Sequence, residues 1–310
     1  MCIRDRIDYA ATRLEERGKR NPRDYRESDS STQGESTCGS RFAGIPDVRA
    51  PHHLDVMMLH LGKKSPRWSA LTAMEKPLNG KVALVTGGSR GIGLAVARSL
   101  GRLGAKLSLC SRHAEKLESA AAELQGEGAR VVVTAADVTR SSDIGKLVQK
   151  TEQSLGAIDV LVNNAGIGYF GPFQGAAESD WDAVLDTNLK AVFLLGKAVA
   201  PGMIERRSGH IINIASLAGK NAFAGGGIYC ASKWGLLGLT ECMAEDLRQY
   251  GIRVSAICPG TVATDFSPHA GKDVRKMLQA EDIAHAVEAI VTQSPQSFIS
   301  EILLRPTQKP

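Results

Sequence analysis

The sequence predicts an α/β fold in which a doubly wound, mostly seven-stranded parallel sheet is flanked by helices on both faces. Two observations lead to this prediction. Short apolar runs alternate regularly with segments of helical periodicity between residues 78 and 306, and the first run, residues 82–85, leads directly into a glycine-rich turn. Strands that alternate with helices form right-handed crossover units, whose strands lie parallel in one sheet. Ligands of such sheets bind at the carboxyl ends of the strands, so we expect the functional residues there.

The composition separates a globular domain from an N-terminal segment of different character. With 310 residues and 43% apolar content, the chain is long enough to bury a substantial core. Residues 1–73 are instead rich in charged residues and in Ser, Thr and Gly, a composition that cannot bury a core. We expect residues 1–73 to be a disordered or non-native N-terminal extension and residues 74–310 to form a single domain.

Charge, cysteine usage and hydropathy argue against several classes of protein. Most of the net charge of +5 comes from the N-terminal segment, which gives no argument for a nucleic-acid partner. The six cysteines show no metal-like spacing with His, so we expect free thiols and no metal site. No apolar run approaches the roughly 20 residues that span a bilayer, and the N-terminus lacks the apolar segment of a signal peptide. These features predict a cytoplasmic protein without a membrane partner.

The first strand and the turn that follows it predict a phosphate-binding site. Apolar residues recur at helical spacing after Ile92, so the glycine-rich turn opens a helix. The free N–H groups and the positive end of the helix dipole at such a turn attract phosphate. The spacing Gly-x-x-x-Gly-x-Gly of Gly87, Gly91 and Gly93 departs from the commoner Gly-x-Gly-x-x-Gly fingerprint.

Two arginines favour NADP(H) over NAD(H) as the cofactor. The second strand, residues 106–110, is followed by Arg112 rather than by an acid. At this point of a dinucleotide-binding fold an acid selects the free ribose 2′-hydroxyl, whereas an arginine accommodates a 2′-phosphate. Arg90, in the glycine-rich turn, offers a second cation. Each arginine taken singly is equally consistent with a solvated surface charge.

The third and fourth strands end in polar residues at the same predicted edge. Residues 131–135 lead to Asp137 and Val138, which are positioned to meet an adenine edge. Asp137 has an alternative role as the cap of a helix over residues 141–155, although Ser141 and Ser142 are closer candidates. Residues 158–162 lead to Asn164, Ala165 and Gly166, which either stiffen the cofactor edge or form a turn.

The second half of the chain adds the candidate catalytic residues. A helix over about residues 180–203 contains Asn188 in apolar company, and a strand over residues 209–215 ends at Ser216. A helix over residues 227–250 contains Tyr229 and Lys233, which are one turn apart on one face. A positive charge beside a tyrosine favours the ionised phenol, so this pair is a candidate for proton transfer. Strands over residues 253–258 and 299–304, with a helix over residues 280–291 between them, complete the predicted sheet.

The separated motifs resemble the short-chain dehydrogenase/reductase family, with its Rossmann-type fold, over about residues 78–306. They occur in the family's order: Thr86-Gly87-x-x-x-Gly91-x-Gly93, Asp137, Asn163-Asn164-Ala165-Gly166, Asn188, Ser216, Tyr229-x-x-x-Lys233 and Pro259-Gly260. The resemblance implies that Tyr229 is the general acid-base and that Ser216 polarises the substrate carbonyl. It implies that Lys233 binds the nicotinamide ribose and depresses the pKa of Tyr229. Asn188 would support a water chain to Lys233, and Thr264 would hold the nicotinamide amide.

The resemblance also implies the cofactor contacts and the reaction class. We expect an NADP(H)-dependent oxidoreductase that transfers a hydride between the nicotinamide and a small carbonyl or alcohol substrate, most simply a carbonyl or 3-oxoacyl-type reductase. The alternative is an NADP(H)-binding sensor without turnover. The family's helices imply a homodimer or homotetramer. The expected cofactor-binding residues are Gly87, Ser89, Arg90, Gly91, Ile92, Gly93, Arg112, Asp137, Val138, Asn164, Ala165, Gly166, Tyr229, Lys233, Pro259, Gly260 and Thr264.

The sequence does not identify the substrate. The 3-oxoacyl-carrier-protein reductases, otherwise similar around residues 89–93, typically end in a glycine-rich strand, whereas this chain ends in residues 303–307, Leu-Leu-Arg-Pro-Thr. That ending looks more like the reductases of hydroxy acids or of miscellaneous carbonyls. Four phenylalanines near loops are candidates either for lining a substrate pocket or for packing: Phe170, Phe173, Phe223 and Phe266.

Overall fold

Seven strands form one parallel sheet in the computed structural model, which describes residues 76–266 and 273–310. The strands are β1 (Val82–Thr86), β2 (Lys106–Ser111), β3 (Val131–Ala135), β4 (Val160–Asn163), β5 (Gly209–Ile214), β6 (Ile252–Pro259) and β7 (Glu301–Leu304). Their order across the sheet is β3-β2-β1-β4-β5-β6-β7. The order reverses between β1 and β4, and such a switch point opens a crevice at the carboxyl ends of the strands.

Seven α-helices connect these strands within the described residues. They are α1 (Gly91–Arg102), α2 (Ala114–Gly126), α3 (Ser141–Leu155), α4 (Glu178–Leu185), α5 (Ala191–Arg206), α6 (Gly227–Arg248) and α7 (Ala280–Thr292). A π-helical segment, Asp186–Lys190, joins α4 directly to α5.

The two faces of the sheet pack against separate hydrophobic cores. Successive side chains of a strand point to opposite faces, and in β1 the residues Ala83 and Val85 join one core while Val82 and Leu84 join the other. The first core includes buried side chains of α1, α2 and α7. The second includes those of α3, α5 and α6. Because both faces are covered, the strands read as continuous apolar runs in the sequence.

The predicted fold class is confirmed, and each of the seven predicted strands is present. The helix over residues 141–155 has the predicted bounds. Helix α2 is an element that the sequence analysis did not assign. The helix predicted over about residues 180–203 is present as an unbroken helical run over 178–206, in which a π-helical segment that contains Asn188 separates α4 from α5.

Several predictions about the chain as a whole stay predictions. The expected extension, residues 1–73, lies outside the described residues, so the domain boundary is not tested. Phe193 on α5 and Trp234 on α6 expose large apolar side chains, but the homodimer or homotetramer remains an expectation, as does the cytoplasmic location. In the described part of the chain, no helix is long and apolar enough to cross a membrane.

Candidate functional site

A cavity of about 1370 Å³ lies along the carboxyl ends of the strands. It brings together nearly all of the predicted catalytic and cofactor-binding residues. Gly93 and Asn188 are the two exceptions; both are buried and do not line the cavity. The predicted residues that line it are Gly87, Ser89, Arg90, Gly91, Ile92, Arg112, Asp137, Val138, Asn164, Ala165, Gly166, Ser216, Tyr229, Lys233, Pro259, Gly260 and Thr264.

The glycine-rich turn has a shape that only glycine supports. Gly87 and Gly91 have φ angles of +65° and +54°, in the left-handed region that side chains disfavour. A Cβ atom on Gly93 would lie 2.3 Å from the carbonyl oxygen of Gly87, so this glycine lets α1 pack directly against the turn. The turn and the N-terminus of α1 therefore form an open cradle of backbone N–H groups, which fits a dinucleotide phosphate.

Thr86, at the end of β1, and Asn164, just after the neighbouring strand β4, brace this cradle. The Thr86 hydroxyl accepts hydrogen bonds of 3.0 Å from the backbone N–H groups of Asn164 and Ala165. In return, the Asn164 side-chain amide donates to the carbonyls of Thr86 at 2.9 Å and Gly87 at 3.3 Å. The ends of β1 and β4 are thus held together at the switch point, which fixes the floor of the cavity.

The two arginines that favour NADP(H) both line the cavity, but Arg90 is engaged by a carboxylate. Its Nη1 atom lies 2.8 Å from Oδ2 of Asp265, and both side chains are largely exposed. Arg112 lies near Asp137, whose ionised form it favours. A cofactor phosphate at Arg90 would therefore share that guanidinium with Asp265 or displace it.

Asp137 lies at the cavity wall and does not cap α3. Its Oδ1 atom accepts hydrogen bonds from the backbone N–H and the hydroxyl of Thr139, at 3.0 and 2.8 Å. Burial opposes ionisation of Asp137, but these bonds and the charges of Arg112 and Arg140 outweigh it and lower its pKa. The cap position of α3 is occupied by Arg140 without a side-chain hydrogen bond, so the alternative capping roles of Asp137, Ser141 and Ser142 are absent.

Asn188 lies behind the cavity, where its amide is fully engaged. Its Oδ1 atom accepts from the N–H of Ile167 at 2.9 Å, and its Nδ2 atom donates to the carbonyl of Ile167 at 2.8 Å. The same Nδ2 atom donates to Ser232 Oγ at 3.0 Å. Asn188 thereby ties the loop after β4 to the helix of Tyr229.

Ser216, Tyr229 and Lys233 meet at one end of the cavity. Ser216 lies two residues after the end of β5, and its hydroxyl accepts from the N–H of Ala218 at 3.1 Å. The same hydroxyl lies close enough to the Tyr229 phenol to favour its ionised form. Lys233 lies one helical turn beyond Tyr229, with Nζ 5.8 Å from the centre of the phenol ring. Its ammonium donates a 2.9 Å hydrogen bond to the carbonyl oxygen of Ile214.

Burial controls the protonation of this pair and overturns one expectation. Burial raises the pKa of Tyr229 to about 12, although the hydrogen bond with Ser216 acts in the opposite direction. Burial also lowers the pKa of Lys233 to about 8. The expectation that Lys233 depresses the pKa of Tyr229 is not met in this structure, because desolvation dominates and the ammonium is directed at Ile214.

The comparison with known proteins identifies the family. A family profile described as short chain dehydrogenase matches residues 81–275. The chain belongs to the short-chain dehydrogenase family. This short-chain dehydrogenase is 35% identical over 229 residues to an uncharacterized oxidoreductase of Staphylococcus aureus strain MRSA252, a match that covers 74% of this chain and 98% of the relative. The predicted family is thereby confirmed.

Solved structures of other short-chain dehydrogenases share the fold. A metagenomic short-chain oxidoreductase in complex with NADP is 46% identical, has a TM-score of 0.67, and is matched over 75% of this chain and 100% of its own. A variant of actinorhodin polyketide ketoreductase with NADPH is 32% identical, with a TM-score of 0.68 over 72% of this chain and 95% of its own.

Two positioning side chains of this short-chain dehydrogenase were not assigned from its sequence. Thr86 belongs to the glycine-rich motif, and its hydroxyl holds the loop after β4 in place. Ser232, which is fully buried, links Asn188 to the backbone carbonyl of Tyr229. A serine in the middle of a helix, three residues after Tyr229, is the signal that points to such a role, since serine there bonds back to a preceding carbonyl.

No group of three or more His, Cys, Asp or Glu side chains able to hold a metal ion occurs in residues 76–266 and 273–310 of this short-chain dehydrogenase. The described cysteines, Cys110, Cys230, Cys242 and Cys258, are free thiols. The charged side chains that line the cavity are those of Arg90, Arg112, Arg305, Lys233, Lys309, Asp137, Asp265 and Glu281.

Proposed function

We propose that this short-chain dehydrogenase is an NADP(H)-dependent oxidoreductase that transfers a hydride between the nicotinamide and a carbonyl or alcohol substrate. The observation that carries the proposal is that one cavity holds both a cradle suited to a cofactor phosphate and side chains suited to proton transfer. The glycine cradle lies at the β1–β4 switch point, and Ser216 and Tyr229 line the same cavity. Such an arrangement suits a cofactor that reaches from its phosphates to a reacting carbon.

The residues at the cradle fit a cofactor with a 2′-phosphate. The cradle of Gly87 and Gly91 would hold the pyrophosphate, while Arg90 and Arg112 supply two cations for the additional phosphate. Bound NADP in the metagenomic relative supports this assignment. When bound, NADPH supplies the hydride that reduces a carbonyl carbon.

The chain's own residues handle the proton and the developing charge. With its pKa near 12, Tyr229 holds its proton at neutral pH and can donate it to the carbonyl oxygen in the direction of reduction. The Ser216 hydroxyl, which lines the cavity together with Tyr229, is the second group that can hydrogen-bond to that oxygen. Lys233 and Asn188 act behind them, because their polar atoms are engaged with Ile214 and Ile167 in the cofactor-free protein.

The substrate class is a carbonyl or 3-oxoacyl-type compound in this proposal. The relation to actinorhodin polyketide ketoreductase supports a reductase of carbonyls. A panel of ketones, quinones and 3-oxoacyl thioesters with NADPH tests the assignment through loss of cofactor absorbance. Tight NADPH binding without turnover across that panel would favour a sensor.

A tyrosine pair tests the mechanism. We expect Tyr229→Phe to lower kcat by about 10²- to 10⁴-fold, because a positioned proton donor contributes that factor, while NADPH binding stays nearly intact. Tyr250→Phe is the matched control, since Tyr250 packs against the second core and does not line the cavity. Unchanged kcat in Tyr229→Phe would falsify the assignment.

A further inference from the structure

Two phenylalanines contact Tyr229 in the cavity, and a third stacks on one of them. The ring centre of Phe170 lies 5.4 Å from that of Tyr229, and the ring centre of Phe266 lies 5.7 Å from it. Phe170 also contacts Phe266 edge to face at 6.4 Å and stacks with Phe223 at 6.3 Å. Phe170 thus connects all four rings into one aromatic cluster.

The aromatic cluster is assembled from three separate segments of the chain. Phe170 follows β4, Phe223 precedes α6, and Phe266 follows β6. Glycines make room for two of the rings. A Cβ atom on Gly168 would lie 2.6 Å from the Phe170 ring, and one on Gly226 would lie 2.5 Å from the Phe223 ring. Larger residues at these glycines would force the rings to move, so the cluster depends on the backbone around it.

The rings of the aromatic cluster are only partly covered. Phe170, Phe223 and Phe266 are 40%, 48% and 41% exposed, and all three line the cavity beside Ser216 and Tyr229. By contrast, Phe173 is 85% exposed and does not line this cavity. Apolar surface that converges on a few polar groups inside a cavity is typical of a small-molecule site. Ring faces and edges bind flat aromatic groups through offset-stacked and edge-to-face contacts.

We infer that the aromatic cluster selects carbonyl substrates whose reacting carbon is bonded to a flat aromatic ring, such as aryl ketones. The inference rests on the proposed function, because it assigns the substrate side of that site. The substrate ring would lie among Phe170, Phe223 and Phe266, with its carbonyl oxygen toward Ser216 and Tyr229.

The reaction balances as a two-electron reduction. The carbonyl carbon of the aryl ketone gains a hydride from the reduced nicotinamide cofactor, and the carbon–oxygen π bond breaks. The carbonyl oxygen gains the phenolic proton of Tyr229, which is later replaced from solvent. The products are a secondary benzylic alcohol and the oxidised cofactor.

Three methyl ketones with the same number of carbon atoms test the inference in the full-length protein with NADPH. They are acetophenone, cyclohexyl methyl ketone and 2-octanone. We expect kcat/KM for acetophenone to exceed both others by about tenfold, as several ring contacts are made only by the aromatic group. Conjugation makes the acetophenone carbonyl intrinsically less electrophilic, so this preference cannot come from reactivity. Equal or faster turnover of 2-octanone would overturn the aryl inference while the proposed reductase function stands.

Two variants and a control connect the preference to the aromatic cluster. Phe170→Leu and Phe223→Leu should each lower the ratio of kcat/KM for acetophenone to kcat/KM for 2-octanone by about tenfold. Phe173→Leu, outside the cluster, should change neither value. Thermal melting of each variant separates a folding defect from a loss of recognition. A retained preference for acetophenone in both folded cluster variants would contradict the inference.

Direct binding distinguishes failure of the inference from failure of the proposed function. Acetophenone and 2-octanone are titrated into the cofactor-free protein and followed by ligand-observed NMR. If no ketone is reduced but acetophenone binds more tightly, and Phe170→Leu abolishes the difference, the aromatic site stands and the proposed reduction fails. If no ketone is reduced and the two bind equally, both are overturned.

Discussion

Ser232 accepts a 3.0 Å hydrogen bond from the side-chain amide of Asn188, 44 residues away in the chain. The same hydroxyl donates a 2.7 Å bond to the backbone carbonyl of Tyr229. One buried hydroxyl thus couples the π-helical segment to the first turn of α6. Its geometric effect is to hold the loop at Ile167 and the Tyr229 helix in a single arrangement.

Replacement of Ser232 by Ala should affect both stability and turnover. The substitution leaves a donor of Asn188 unpaired, which costs about 1–3 kcal/mol of unfolding free energy. Because Tyr229 is then held less precisely, kcat should fall by about tenfold, while the Kd for NADPH stays unchanged. Chemical denaturation and steady-state kinetics measure the two effects. Thr240→Val is the control, because it removes a buried hydroxyl that bonds Asn213 and Leu236 outside the cavity. An equal loss of kcat in both variants would argue against a positioning role.

Replacement of Lys233 by Met should change the pH dependence of stability. The pKa of Lys233 is about 8 in the folded protein and about 10.5 when unperturbed, so folding disfavours its charged form. This loss of unfolding free energy is fully present below pH 8 and disappears as the pH rises through 10.5. Between pH 7.5 and pH 10 the cofactor-free wild type should gain about 2 kcal/mol in unfolding free energy relative to the variant. If the unfolding free energies of the two proteins change in parallel with pH, folding does not lower the pKa of Lys233.

His210 should make the protein sensitive to acid. Ser255 Oγ donates to the carbonyl of Ile299 at 2.6 Å, so Nε2 of His210, 2.9 Å from that Oγ, carries the imidazole proton. Its Nδ1 atom is buried without a hydrogen-bond partner in the described structure. Burial, with a smaller effect of the charge on Arg253, lowers the pKa of His210 to about 3. The unfolded chain therefore takes up a proton first as the pH falls below 6.5.

A glutamine at position 210 tests this acid sensitivity. Between pH 7 and pH 5 the wild type should lose about 2 kcal/mol more of its unfolding free energy than His210→Gln does. The comparison is made by urea denaturation at both pH values. His285→Gln, at an exposed position of α7, should behave like the wild type. If His285→Gln reduces the acid loss as much as His210→Gln, the buried imidazole is not responsible.

Arg90→Ala and Arg112→Ala should shift cofactor preference. Charge-assisted bonds to a 2′-phosphate are worth about 1.5–3 kcal/mol each, so each variant should raise the KM for NADPH by about tenfold or more and leave that for NADH nearly unchanged. Arg102→Ala serves as control, because Arg102 lies at the opposite end of α1. A uniform change for both cofactors would show that the arginines do not read the 2′-phosphate.

The sheet and most of the cavity wall could be predicted because they follow from local pattern. Buried parallel strands read as apolar runs, and Tyr229 and Lys233 are one helical turn apart wherever their helix lies. The contact between Arg90 and Asp265 joins loops 175 residues apart in the chain, which no local pattern encodes. The direction of the Tyr229 pKa shift was missed because it depends on depth of burial, which a sequence does not state.

The sequence also could not decide which of the four phenylalanines line the cavity. Their positions near loops were visible in the sequence, but both packing and pocket roles remained open. Phe170 and Phe266 contact Tyr229, Phe223 stacks on Phe170, and Phe173 lies outside the cavity. The choice among them depends on where three connecting segments meet, and that meeting point is set by the strand order of the whole sheet.

The geometry around the π-helical turn, Asp186–Lys190, depends on how many residues the turn contains as well as on which residues they are. A π turn accommodates one residue more than an α turn, so it offsets the angular phase of α5 relative to α4. Deleting a single residue there would restore α geometry and leave the face that α5 presents to the sheet unchanged, because the π turn had absorbed that residue. The residues inside the turn would move, however, and the amide of Asn188 would lose its alignment with Ile167. Substitutions in this turn are therefore more tolerable than any change in its length.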